Sequence, residues 1–153
     1  MTSQSTTIEA VSGALETMAF VSAWPFEGTA ADAPQDPVLA AISFEGAARG
    51  TLELAAPRAF ARTLATNLLG SADGEPSDDE AHDALKELMN VACGALLRVR
   101  RATESTRFEM SIPWIESLDG AHGWAEFTSR PDTIVLDAEG TPIAFRVVEE
   151  SMG

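Results

Sequence analysis

The sequence predicts an α+β domain in which three helices pack on a mostly antiparallel β-sheet, as a single unit over residues 1–153. Three observations predict it. Three stretches carry helical apolar spacing, short apolar or alternating runs bounded by Gly and Pro lie between and after them, and no linker divides the chain. At 153 residues the chain can bury a core without metal or disulfide, and 45% hydrophobic content is ordinary for a globular protein.

The first helix is expected from Thr6 or Thr7 to Val21, with Ile8, Val11, Leu15, Met18, Ala19 and Ser22 on one side and Glu9 and Glu16 as polar markers. Trp24-Pro25-Phe26 ends it, because proline disfavours helical geometry in the residue before it. Gly28 to Pro37 reads as a loop rich in Ala, Asp and Pro. Val38–Glu45 and Arg49–Leu54 then read as two strands joined through a turn at Gly46. Pro57 suits the first position of a second helix whose buried side is Phe60, Leu64, Leu68 and Leu69, with Gly70 as its stop. Residues 71–76 form a loop, and Ser77 with Glu80 is a capping-box pattern opening the central helix, with Asp78 and Asp79 suiting its dipole. That helix runs from Ser77 to Leu97 and ends in Arg98, Arg100 and Arg101. Strands are expected at Phe108–Ile112, His122–Thr128, Thr133–Asp137 and Pro142–Val148, with residues 137–141 turning the last pair.

The formal net charge is −14, which argues against nucleic acid or an anionic membrane as partner. No run approaches the roughly 18 apolar residues of a membrane span, and the N-terminus lacks a basic and apolar leader, so a cytoplasmic protein is expected. The one cysteine, Cys93, falls in the apolar stripe of the central helix and reads as a small core residue. His82 and His122 are far apart and near no cysteine, so no metal site is expected. Gly-rich phosphate loops and serine-nucleophile motifs are absent. Trp24, Trp114 and Trp124 are expected in the core or at a subunit interface, and Phe44, Phe60 and Phe108 in the core.

The central helix carries the unusual pattern. Leu85, Leu88, Met89, Ala92, Cys93, Leu96 and Leu97 mark one buried face. At about 100° per residue, Asp83, Glu87, Asn90 and Gly94 leave the opposite side within roughly 60° of one another. Asn and Gly are poor helix formers, costing about 0.5–1 kcal/mol each against Ala. A row of two carboxylates, an amide and a glycine is therefore either a functional ridge or a solvated face on which Gly94 admits a neighbouring backbone. A similar phrase occurs near the N-terminus, where Ser12, Glu16 and Ala19 stand in the spacing of Asp83, Glu87 and Asn90.

The pattern Asp83-x3-Glu87-x2-Asn90-x22-Pro113, with Gly94 four residues after the Asn, resembles the signature of the CheC/CheX/FliY phosphatases of bacterial chemotaxis. Glu16 to Phe20 resembles the first helix of the CheX-type branch, which keeps one active helix. Ala19 and Ile42 stand where a second site would need its Asn and Pro, so no first-helix site is expected. The resemblance implies the CheC/CheX-like fold and a phosphatase acting on the phosphoaspartate of a CheY-like receiver domain, with a homodimer as in that branch. It also implies no cofactor of its own, the receiver supplying Mg²⁺ and a lysine. Asn90 would then hold the attacking water, since a carboxamide donates and accepts without charge. Glu87 would dock the receiver lysine, and Gly94 would leave clearance for the partner. Asp83 is a partner contact on the rim or a solvated charge, and Pro113 ends a strand where its missing N–H is tolerated. The competing reading is a non-catalytic receiver-binding adaptor or flagellar-switch-like domain of the same fold. For either reading, Arg98, Arg100 and Arg101 would supply basic ground in an otherwise acidic protein.

Overall fold

The computed structural model describes residues 4–26, 33–46, 48–69, 74–104 and 108–150, with no side-chain description at 4 and 99–104. In chain order the elements are α1 (Gln4–Ala19), β1 (Ala23–Pro25), β2 (Pro37–Glu45), β3 (Arg49–Pro57), α2 (Arg58–Leu69) and α3 (Asp78–Glu104). They continue with β4 (Glu109–Met110), β5 (Trp114–Ser117), α4 (Gly120–Thr128), β6 (Ile134–Ala138) and β7 (Thr141–Glu150). The strands form one antiparallel sheet in the order β1-β6-β7-β3-β2-β4, with β5 also on β2. The α+β class and the antiparallel sheet stand as read from the sequence.

Alternation along the central strands decides the layers. Val38, Ala40, Ile42 and Phe44 of β2, with Leu52 and Leu54 of β3 and Ile143 and Phe145 of β7, face a core shared with α1, α2 and α3. Ala55 and Ala144 face the other way and meet Trp124 and Phe127 of α4. Three helices thus cover one face of the sheet, and a short fourth covers part of the other.

The fourth helix corrects the strand expected at His122–Thr128. Trp124 and Phe127 are three residues apart and both buried, which is helical spacing. The Thr128 hydroxyl donates to Trp124 O at 2.9 Å and Ser129 N–H to Ala125 O at 3.0 Å, closing the last turn. Leu118 packs so near Gly123 that a Cβ there would lie 3.2 Å from the Leu118 Cβ, which favours glycine.

Other differences are smaller. Trp24 and Pro25 belong to the edge strand β1, paired with Asp137 and Leu136, where a proline is tolerated. Pro57 is the last residue of β3 rather than the first of α2, and α3 runs a further seven residues past Leu97 to Glu104, so its arginines lie within the helix. Pro113 is buried between β4 and β5. There Met110 pairs with Phe44 and Trp114 with Ala41, so one extra residue on this strand makes a bulge, a site that suits a missing N–H. The turn after β6 is Glu139-Gly140, both at positive φ (52° and 94°), as a two-residue hairpin turn of type I′ needs. Gly70, residues 71–73 of the loop before Ser77 and residues 28–32 of the loop before β2 lie outside the described residues.

Phe44, Phe60, Phe108 and Trp124 are core residues, whereas Trp24 and Trp114 are exposed. Cys93 is fully buried, and desolvation pushes its thiol up to about 12. A buried charge pair was not anticipated: Arg146, 5% exposed, donates from Nε to Glu53 Oε1 at 2.8 Å and lies 4.2 Å from the Phe127 ring centroid.

Candidate functional site

The start of α3 is fixed by reciprocal hydrogen bonds. Ser77 N–H donates to Glu80 Oε1 at 2.9 Å and Glu80 N–H to Ser77 Oγ at 3.1 Å. Arg62 of α2 donates to Asp78 Oδ1 at 3.0 Å, and that bond holds the Asp78 carboxyl below its ordinary range. Arg58 bridges Asp36 Oδ2 (2.8 Å) and His82 Nε2 (3.1 Å), which ties His82 to the scaffold. Behind these ties, Leu85, Leu88, Met89, Ala92, Cys93, Leu96 and Leu97 are all buried. Each large apolar side chain there contributes about 1.5–3 kcal/mol, an upper estimate, so rotating the helix is strongly opposed.

The opposite side is the ridge the spacing anticipated. Asp83 and Glu87 are exposed, and Asn90 and Gly94 half-buried. Among the described residues neither carboxylate nor the Asn90 carboxamide has an intramolecular hydrogen-bond partner. A Cβ built on Gly94 would meet nothing within 4 Å. No neighbouring backbone therefore explains this glycine, and its space opens outward. By contrast Ala19, the counterpart of Asn90 in the N-terminal phrase, is fully buried at the end of α1.

A groove of about 200 Å³ between the end of α2 and the start of α3 adjoins the ridge. Leu68, Leu69 and Ala84 give it apolar walls, and Glu80, Asp83 and Glu87 acidic ones. This corrects the expected burial of α2. Phe60 and Leu64 are buried, but Leu68 is 38% and Leu69 61% exposed. Their helical spacing continues the buried stripe, yet the stripe stays partly open at this end of α2, and spacing carries no signal of that. Asp83 and Glu87 share this groove, while Asn90 and Gly94 lie one and two turns further along α3. Arg98 is exposed, and the side chains of Arg100 and Arg101 lie outside the described residues.

The ridge of carboxylate, amide and glycine lies on a rigidly packed helix and, among the described residues, is open on its outer side. The family model for the chemotaxis phosphatase CheX matches residues 38–122, which include the whole ridge and Pro113. The chain belongs to the CheX family. Among solved structures, chemotaxis protein CheX from Vibrio vulnificus is 20% identical with a TM-score of 0.71, covering 96% of this chain and 95% of that one. CheX from Desulfovibrio desulfuricans is 15% identical with a TM-score of 0.69, covering 95% and 97%. The matched chain of a CheX–CheY–BeF3–Mg²⁺ complex from Borrelia burgdorferi is 14% identical with a TM-score of 0.66, covering 96% and 97%. Among curated protein sequences, none matches this chain.

Proposed function

We propose that this protein accelerates hydrolysis of the phosphoaspartate of a CheY-like receiver domain, using Asn90 and Glu87. A water oxygen attacks phosphorus, the bond from phosphorus to the aspartyl oxygen breaks, and the products are the receiver carboxylate and inorganic phosphate, which takes up the water's proton. Hydrolysing an acyl phosphate asks for little covalent chemistry from the helper protein, so positioning is the main contribution. Asn90 accepts a hydrogen bond from the attacking water through its carbonyl oxygen and holds it in line. A carboxylate in that place would be repelled by the phosphoryl oxygens. Glu87, one turn earlier, pairs with the receiver's active-site lysine, and Gly94 leaves room for the partner backbone. Asp83 is a partner contact at the rim. In this reading Mg²⁺ belongs to the receiver.

The observation that carries the reading is the Asn90 carboxamide, without an intramolecular partner among the described residues and one turn from a Glu87 that likewise has none there. The relative caught with CheY and BeF3 supports the choice of partner. The test is the decay of acetyl-phosphate-charged receivers from the same organism. Asn90→Ala should keep the fold and lower the rate about a hundredfold or more, the scale of a lost transition-state-positioning group. A wild-type rate from Asn90→Ala would refute the catalytic role. Receiver binding without any acceleration by the wild-type protein would establish the adaptor instead.

A further inference from the structure

Phe20 is 79% exposed and sits at φ 57°, in the left-handed region that a bulky side chain rarely adopts. It follows the last residue of α1, where helices commonly place glycine. Its backbone is held there from several directions. Phe20 N–H donates to Glu16 O at 3.2 Å and Val21 N–H to Leu15 O at 3.1 Å. Asn67 of α2 donates from Nδ2 to Ala19 O at 2.8 Å, and Ser22 N–H donates to Glu139 Oε2 at 2.8 Å. Side chains distant in sequence thus pin both sides of a strained residue that buries little of itself, and strain of this kind tends to gather at functional surfaces.

The bond from Asn67 brings Phe20 to the end of α2 that carries Leu68 and Leu69, the large apolar residues exposed beside Glu87. We propose that Phe20, Leu68 and Leu69 form an apolar docking shoulder for the receiver domain, next to the Glu87–Asn90 ridge. The inference rests on the reading of that ridge as receiver-facing and adds the residues that set affinity and partner choice. The occupant is an aliphatic or aromatic patch flanking the receiver's phosphoaspartate, with a basic side chain against the acidic wall.

Two features select that occupant. The groove is continuous with the ridge, because Glu87 lines both. A second copy of this chain is disfavoured, since a two-fold contact through the shoulder would set Glu80, Asp83 and Glu87 against their own counterparts.

The experiment uses the full chain, a CheY-type receiver charged with beryllofluoride for binding, and the same receiver charged with acetyl phosphate for turnover. Leu69→Ser should raise Kd and KM at least tenfold with kcat unchanged, and Leu69→Met should restore both. Phe20→Gly should weaken binding several-fold while raising Tm by about 2–4 °C, because glycine relieves the left-handed strain. Wild-type Kd and KM in both Leu69→Ser and Phe20→Gly would overturn the shoulder. So would a shift of Leu69→Ser from dimer to monomer with receiver affinity intact, which would make the patch a self-contact. If the wild-type protein binds the receiver without hydrolysing it, the catalytic reading fails and the binding arm still decides the shoulder.

Discussion

Gly94 offers a sharp test of the outward-facing ridge, because stability and function should move in opposite directions. It lies inside the 27-residue helix α3, and a Cβ there would touch nothing within 4 Å. Gly94→Ala should therefore gain the helix propensity that glycine forfeits, about 1 kcal/mol, with no packing loss to offset it. For a 153-residue domain that corresponds to about a 3 °C rise in Tm. If the empty space is the partner's, the same methyl should lower kcat/KM on a phosphorylated receiver. Gly94→Leu, also a better helix former than glycine, should lower it more than tenfold while staying at least as stable as the wild type. Calorimetry and receiver dephosphorylation on the three proteins make the comparison. A fall in Tm for Gly94→Ala would reveal a neighbour the structure does not contain. Unchanged kcat/KM in Gly94→Leu would remove the clearance role.

Three further outcomes follow from packing and charge. The Cys93 thiol is raised from 9.0 to about 12 by burial, so the unfolded chain ionises first. Its contribution is intact below about pH 9 and is lost as pH rises toward 12, by up to about 1.4 kcal/mol per pH unit; urea melts at pH 8 and 10.5 should show a slope that Cys93→Ala lacks. Arg146→Ala strands Glu53 and should cost about 3 kcal/mol in a denaturant melt, while kcat on the receiver stays unchanged because the pair lies on the α4 face of the sheet; an unaltered midpoint would contradict the pairing. β5 pairs only β2 among the described residues, beside Trp114 and the 86% exposed Ile112, and we propose this edge as the contact of the homodimer that the resemblance implies. Ile112→Lys with Trp114→Lys should halve the mass seen by light scattering, and a surviving dimer would exclude this edge.

The parts of the fold legible in the sequence were those where one local signal dominates. The capping box at Ser77 and Glu80, the turn within residues 137–141, which the structure tightens to Glu139-Gly140, and the apolar stripe of α3 each fix their element with little help from the rest of the chain. The ridge was legible for the same reason, since helical spacing alone puts Asp83, Glu87, Asn90 and Gly94 on one side. What escaped depends on distant partners. The helical spacing of Trp124 and Phe127 spans barely one turn, and only the far face of the sheet makes a helix of it. Strand β1 exists because β6 pairs with it, and β5 because a bulge at Pro113 resets its register on β2. Leu68 and Leu69 show the reverse failure: their spacing matches burial, and the missing element is a surface to cover them.

The position of β7 has a consequence for biosynthesis. It follows every other described element in chain order, yet in the sheet it lies between β6 and β3. Until it emerges from the ribosome, β3 offers a bare row of backbone donors and acceptors, and the apolar surface that Ile143 and Phe145 later cover stays wet. The ridge of α3 is built on that same unfinished sheet. A nascent or truncated chain ending before β7 should therefore need holding by chaperones rather than display a working surface early.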